Sequence, residues 1–116
     1  MKGLGGLGDM ARMMKQAQGQ IRDMQKQMTE TEEKLKERVV EGSAGGGMVK
    51  VLFNGLMEPL DVQIDPSILK EGDVEFVQEM IVAAIRQGIK KAKEISEEEK
   101  GKVLGGLGLP GLERLL

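Results

Sequence analysis

DMARMMKQAQGQIRDMQKQMTETEEKLKER, residues 9–38, decides the fold of this chain. Its apolar residues fall at Met10, Met14, Ala17, Ile21, Met24, Met28 and Leu35, with Thr31 in the remaining place, so the steps alternate between four and three. On an α-helix that alternation draws one narrow apolar seam along a single side. The run predicts a helix of about thirty residues, about 45 Å long at 1.5 Å per residue. Asp9 stands where it can cap the start, after a glycine-rich opening, and Gly19 is the only weak interior position. Met10, Met13, Met14, Met24 and Met28 read as adaptable packing along the seam, with a groove for a partner helix as the other reading.

Beyond this run the period changes from helical to alternating. Val39 and Val40, then Val49, Val51 and Phe53 set against Met48, Lys50 and Leu52, predict two antiparallel strands joined through Gly45-Gly46-Gly47. Asn54-Gly55 predicts a two-residue type I′ turn, because that turn needs positive φ at both positions. In a third strand Leu60, Val62 and Ile64 alternate with Asp61, Gln63 and Asp65, so one face is expected buried and the other wet; Pro59 marks an edge or a bulge. Asp65-Pro66-Ser67 ends it. After Glu71-Gly72-Asp73, the stripe Val77, Ile81, Ala84, Ile85, Ile89, Ala92 and Ile95 predicts a second helix from about Val74 to about Glu99, in which Gly88 permits close packing. The fold class is therefore α+β, in the order helix, three-stranded antiparallel sheet, long helix. Residues 1–8 are expected to be a flexible glycine-rich start, 9–100 the folded domain, and 101–116 a flexible glycine- and leucine-rich tail. The word LGGLG occurs in both end segments, at residues 4–8 and 104–108.

Composition narrows the function. At 116 residues, with Phe53 and Phe76 as the only aromatics and seventeen glycines, a lone protomer has a thin core, and an obligate dimer is expected. The chain has no cysteine and no histidine, so thiolate chemistry is excluded and the commonest general base and transition-metal ligand are missing. Asp61, Asp65, Asp73 and Glu75 lack the spacing of a calcium loop, and Gly45-Gly46-Gly47 lacks the Lys-Ser/Thr of a phosphate loop. No pair of converging carboxylates can be placed for acid-only hydrolysis. The chain reads as a binding protein, not an enzyme, with no cofactor, metal or small-molecule substrate. No signal-peptide pattern and no run of eighteen apolar residues is present, so no membrane association is expected and the expected location is the cytoplasm.

Net charge is −2, but its distribution is uneven. Residues 1–28 hold five cations against two carboxylates, whereas residues 39–75 hold two lysines against seven carboxylates. Arg12, Lys15, Arg22 and Lys26 share one face of the first helix beside the Met seam. In the second helix Arg86, Lys90 and Lys93 share a face, and Lys91 adds to the cluster. Such clusters serve either as solvated helix faces or as a phosphate-binding surface, which needs Lys and Arg gathered on one side. In the second reading duplex DNA is the partner and the acidic sheet is turned away.

Several words resemble the YbaB/EbfC family of bacterial nucleoid-associated proteins: Met14-Lys15-Gln16-Ala17-Gln18, Glu41-Gly42-Ser43-Ala44-Gly45-Gly46-Gly47 leading into Val49-Lys50-Val51, Asn54-Gly55, Val62-Gln63-Ile64-Asp65-Pro66-Ser67, and Val82-Ala83-Ala84. The resemblance covers roughly residues 1–100. It implies a homodimer of tweezer-like outline, helical arms on a shared β core, that binds DNA through its helices with low to modest sequence preference, helps organise the nucleoid and influences gene expression. Arg12, Lys15, Arg22, Lys26, Arg86, Lys90, Lys91 and Lys93 are the candidate DNA-binding residues; only Lys15 lies in a matching word, and the others follow from charge. At Arg86-Gln87-Gly88 the chain departs from the family, where an Asn-Asp-Ala-like stretch is usual, and gains positive charge. The alternative from another class is a non-enzymatic scaffold whose Met-rich seam grips a partner protein.

Overall fold

A computed structural model of the protein describes residues 2–70 and 72–106, with side chains from residue 6 onward. The order is α1 (Lys2–Glu37), β1 (Val39–Ala44), β2 (Val49–Asn54), β3 (Pro59–Ile64), the short α2 (Pro66–Lys70) and α3 (Val74–Gly106). The three strands form one antiparallel sheet in sequence order. The molecule is long and thin, 87 × 22 × 18 Å.

The core is built where α3 crosses the sheet. Cross-strand partners share a sheet face, and the pairs Val40–Phe53, Gly42–Val51 and Ala44–Val49 place one face of β1 and β2 under α3. Val40, Val49, Val51 and Phe53 are buried there with Ala84 and Ala92. Gly42 and Gly88 let the layers meet at backbone distance. A Cβ on Gly42 would overlap the Ala84 carbonyl oxygen and the Gly88 backbone, and one on Gly88 would overlap the Phe53 ring. The expected packing role of Gly88 is thus specific: Phe53 occupies the volume of its missing side chain. Gln87 reinforces the crossing by accepting a hydrogen bond from the Ser43 backbone N–H at 2.7 Å.

Both helices outrun their expected ends. α1 starts at Lys2 instead of Asp9, so the start expected to be flexible is helical from its second residue. Glycine weakens a helix without barring it, and no proline stands in this stretch. Asp9 is consequently an interior residue, and its carboxylate pairs with Arg12 at 2.9 Å instead of capping. α3 continues through residues 101–106 of the expected tail. Leu104 is 5% exposed, and burying a leucine contributes about 1.5–3 kcal/mol, more than the roughly 1 kcal/mol cost of a helical glycine such as Gly101. Residues 107–116 lie outside the described residues.

Two connections also depart from expectation. Asn54-Gly55 does not form a type I′ turn, since neither residue has positive φ; that conformation falls at Met57, φ 64°. Residues 55–58 make a longer link around the buried Asn54 side chain, whose Oδ1 accepts from the N–H groups of Leu56 (3.0 Å) and Glu58 (3.1 Å). Gly55 is required for another reason. Its N–H donates to the Leu35 carbonyl at 2.7 Å, and a Cβ would stand 2.7 Å from that oxygen, so glycine lets the loop dock on the end of α1. The three-glycine link closes as one tight 3-10 turn with φ of 63°, 67° and 93° at Gly45, Gly46 and Gly47, a region open to glycine at little cost. After β3, Asp65 accepts from the Ser67 N–H at 2.9 Å and starts α2, which the sequence reading passed over as a strand end. That bond and the Ser67 hydroxyl hold the Asp65 carboxyl below its ordinary 3.8.

β3 is the edge strand, and its pairing with β2 slips by one residue between Leu52 and Phe53, leaving Leu60 as the extra residue of a bulge. Of the apolar side expected to be buried, Ile64 packs against the core, but the rest does not. Val62 pairs with the buried Val51 and therefore faces the same side, yet Leu60 and Val62 are about half exposed, because α3 covers β1 and β2 and stops short of β3.

Candidate nucleic-acid interface

α1 meets α3 only over its second half. The helices run antiparallel: Arg38 lies 3.7 Å from Glu99, and further along Gln27 and Thr31 line a shared groove with Val103. Thr31 and Leu35 are buried in this stretch, and Thr31 donates its hydroxyl to the Gln27 carbonyl at 2.8 Å, so a polar residue at a seam position is satisfied. Met24 and Met28 are half-buried, whereas Met10, Met14 and Ile21 are exposed. The first part of α1 is thus a free-standing arm.

Arg12, Lys15, Arg22 and Lys26 are all exposed on that arm. At 100° per residue they occupy an arc of about 80° centred roughly opposite the Met seam, not merely beside it. Arg12 is held by Asp9 in a pair with both side chains exposed, which contributes little to stability and leaves the guanidinium available for exchange. On α3, Arg86, Lys90 and Lys93 are exposed on the side away from the buried Ala84, Gly88 and Ala92, so they project off the sheet. Lys91 is separated from them. Its ammonium reaches down the flank of α3 to donate to the Glu41 carbonyl at 3.0 Å, a tie to β1.

The two basic groups do not merge into one patch. With Gln27 to Lys34 of α1 beside Glu99 to Val103 of the antiparallel α3, helical rise puts Lys93 at least about 15 Å along the axis from Lys26, and Arg12 about 21 Å beyond that. They are successive stations along a run of roughly 45 Å, longer than the ~34 Å of one DNA turn. The other sheet face, away from α3, carries Glu41 and Asp61 with Lys50, which sits 3.8 Å from Glu41. Positive charge therefore lies on the outer helix surfaces, and the wet sheet surface is acidic.

Sequence reasoning overlooked Lys34 and Lys102, which line the groove where α1 and α3 meet. Lys102 is engaged by Glu99 at 3.2 Å and Glu98 at 3.8 Å, so most of its charge is spent locally. Their adjacency depends on the antiparallel pairing of distant helices, which no local pattern reports. Among the described residues no group of His, Cys, Asp or Glu converges as a metal site, and no helix is long and apolar enough to cross a membrane.

A sequence profile of the YbaB/EbfC DNA-binding family matches residues 6–107. The chain belongs to that family. Among relatives of this YbaB/EbfC member are nucleoid-associated proteins from Alkaliphilus metalliredigens, 42% identical over 95% of this chain and 93% of the relative, and Pelotomaculum thermopropionicum, 44% identical over 90% and 96%. One from Syntrophobacter fumaroxidans is 43% identical over 81% of this chain and 86% of its own. The crystal structure of an uncharacterized protein from Helicobacter pylori superposes with a TM-score of 0.72 at 37% identity, covering 78% of this chain and 96% of that one. The YbaB/EbfC match extends to residue 107, so it includes the helical continuation of α3 that composition alone read as tail.

Proposed function

We propose that the protein acts as a homodimer that binds duplex DNA with low to modest sequence preference through the outer surfaces of α1 and α3, and in doing so organises the chromosome and influences gene expression in the cytoplasmic nucleoid. One observation carries the reading: Arg86, Lys90 and Lys93 project off the sheet and Arg12, Lys15, Arg22 and Lys26 line the side of α1 opposite its seam, while the wet face of the sheet is acidic. Phosphate neutralisation by such side chains is independent of base sequence, which accounts for the low preference. Arg12, Lys15, Arg22, Lys26, Arg86, Lys90 and Lys93 are assigned to phosphate contact. Lys91 joins them only by releasing Glu41. Dimerisation is supported by the uncovered apolar side of β3 at Leu60 and Val62. A second copy would remove this apolar surface from water. Relatives named nucleoid-associated proteins support both the DNA partner and the location.

Fluorescence anisotropy with a mixed-sequence duplex at low salt, paired with the mass in solution, tests the reading. Binding by a species of twice the protomer mass is expected; absence of binding overturns it. The exposed seam residues Met10, Met14 and Ile21 favour a second reading, a scaffold that grips a partner helix. Replacing Arg12, Lys15, Arg22 and Lys26 with Gln would leave such partner binding intact while abolishing most DNA binding.

A further inference from the structure

We infer that Gln87 and Lys91 of α3 guard the outer edge of β1, keeping it from adding a strand of another copy of the chain. The order β1-β2-β3 leaves the sheet two edges, and an edge strand offers unpaired backbone groups on which a further strand can pair. β3 carries its own protection. Pro59 opens it, the register slips beside Leu60, and the Asp61 carboxylate accepts from the Val62 N–H at 2.9 Å. β1 has none of these: it holds no proline, and its register with β2 runs unbroken from Val39 to Ala44. A regular edge of this kind invites pairing unless another element covers it.

The cover comes from α3. The Ser43 N–H donates to Gln87 Oε1 at 2.7 Å, and the Glu41 carbonyl accepts from Lys91 Nζ at 3.0 Å. In an antiparallel edge strand every second residue turns its N–H and C=O outward, and Glu41 and Ser43 are two such residues in succession. An incoming strand would need that same carbonyl as acceptor and that same N–H as donor. The spacings match, since Gln87 and Lys91 are about 6 Å apart by helical rise and Glu41 and Ser43 about 6.8 Å apart along the strand. Reach depends on the close crossing at Gly42, where a Cβ would overlap the backbone of Ala84 and Gly88. Gln87 and Lys91 are both exposed, so neither fills the core. Their shared task is at the strand edge.

Gln87→Ala with Lys91→Ala removes both contacts without adding exposed apolar bulk. For the full-length chain at fixed concentration, light scattering is expected to show a weight-average mass roughly twofold or more above the native value, with helical circular dichroism retained. Adding Ser43→Pro is expected to restore the native mass, because proline removes the edge N–H and is tolerated where that N–H faces outward. An unchanged mass overturns the proposal, as does a raised mass that Ser43→Pro leaves in place. Loss of the helical signal in the double variant also overturns it, since the pair would then serve stability alone. Hydrogen exchange of Gln87→Ala by itself gives an independent reading: the Ser43 amide is expected to exchange roughly tenfold faster, with those of β2 unchanged. Unchanged exchange at Ser43 would contradict the guard.

Discussion

Residues 24–35 and residues 7–21 of α1 carry the same heptad seam, yet Leu35 is 1% exposed and Met14 is 63% exposed. The period is a local property of the sequence and is continuous across both. Cover is not local, for it depends on where α3 runs and where the loop after β2 docks. The comparison separates two duties in one helix. Its last turns fasten α1 to the body through Leu35, Thr31 and the Gly55 contact, so their chemistry is constrained by packing. The arm touches little within the described protomer, and its constraint is charge and straightness.

The sharpest way to break this division is to truncate the seam at both places. Leu35→Ala is expected to cost about 3 kcal/mol or more, a transfer loss plus a cavity. Met14→Ala in the arm should stay within about 0.5 kcal/mol. Urea midpoints at one fixed protein concentration check both, and equal losses would show that the arm is packed as tightly as the body. Glycines give the next contrast. Gly42→Ala is expected to destabilise by about 3 kcal/mol, since the overlapped atoms are backbone of α3 and cannot rotate away. Gly19→Ala meets nothing within 4 Å and should stabilise the arm by about 0.5–1 kcal/mol, visible as greater helical circular dichroism with an unchanged body transition.

The smallest expected effect concerns pH. Asp65 is the described carboxylate with a clear shift, downward, caused first by the Ser67 N–H and then by its hydroxyl. A carboxyl held lower in the folded state lends stability that is present above its ordinary 3.8 and is lost as pH falls from there through the lowered folded value. Asp65→Asn should flatten the acid limb below that point and leave the pH dependence between 5 and 7 as it was, which thermal melts across pH will register. The group is fully exposed, so the effect is confined to the α2 cap.

Much of the fold was legible in the sequence. Two long apolar periods and three alternating runs between them give the order αβββα, and Gly88 was readable as a packing glycine because it falls inside an apolar stripe. What escaped was set at a distance. The type I′ expectation at Asn54-Gly55 failed because tertiary demands, a buried Asn54 side chain and a close approach to Leu35, outweighed the local turn preference. Glycine-rich composition hid the last turns of α3 because Leu104 gains its burial only once the chain has folded. For the candidate interface, helical spacing correctly grouped Arg86, Lys90 and Lys93, but it could not report that Lys91 is drawn to a strand carbonyl on β1. Nor could it show that the two basic groups stand in line along the molecule instead of side by side.

If the arm is where charge serves function, replacing Arg12, Lys15, Arg22 and Lys26 with Gln must change DNA binding and nothing else. The deciding measurement is the dependence of duplex affinity on salt for the native chain and for that variant, with thermal melts of both. Each lost phosphate contact lowers the slope of log affinity against log salt by about 0.9. In the homodimer the variant lacks these four cations twice, so a drop of about four to seven in slope with an unchanged melting temperature is the expected result, and an unchanged slope would contradict the assignment of the arm to DNA.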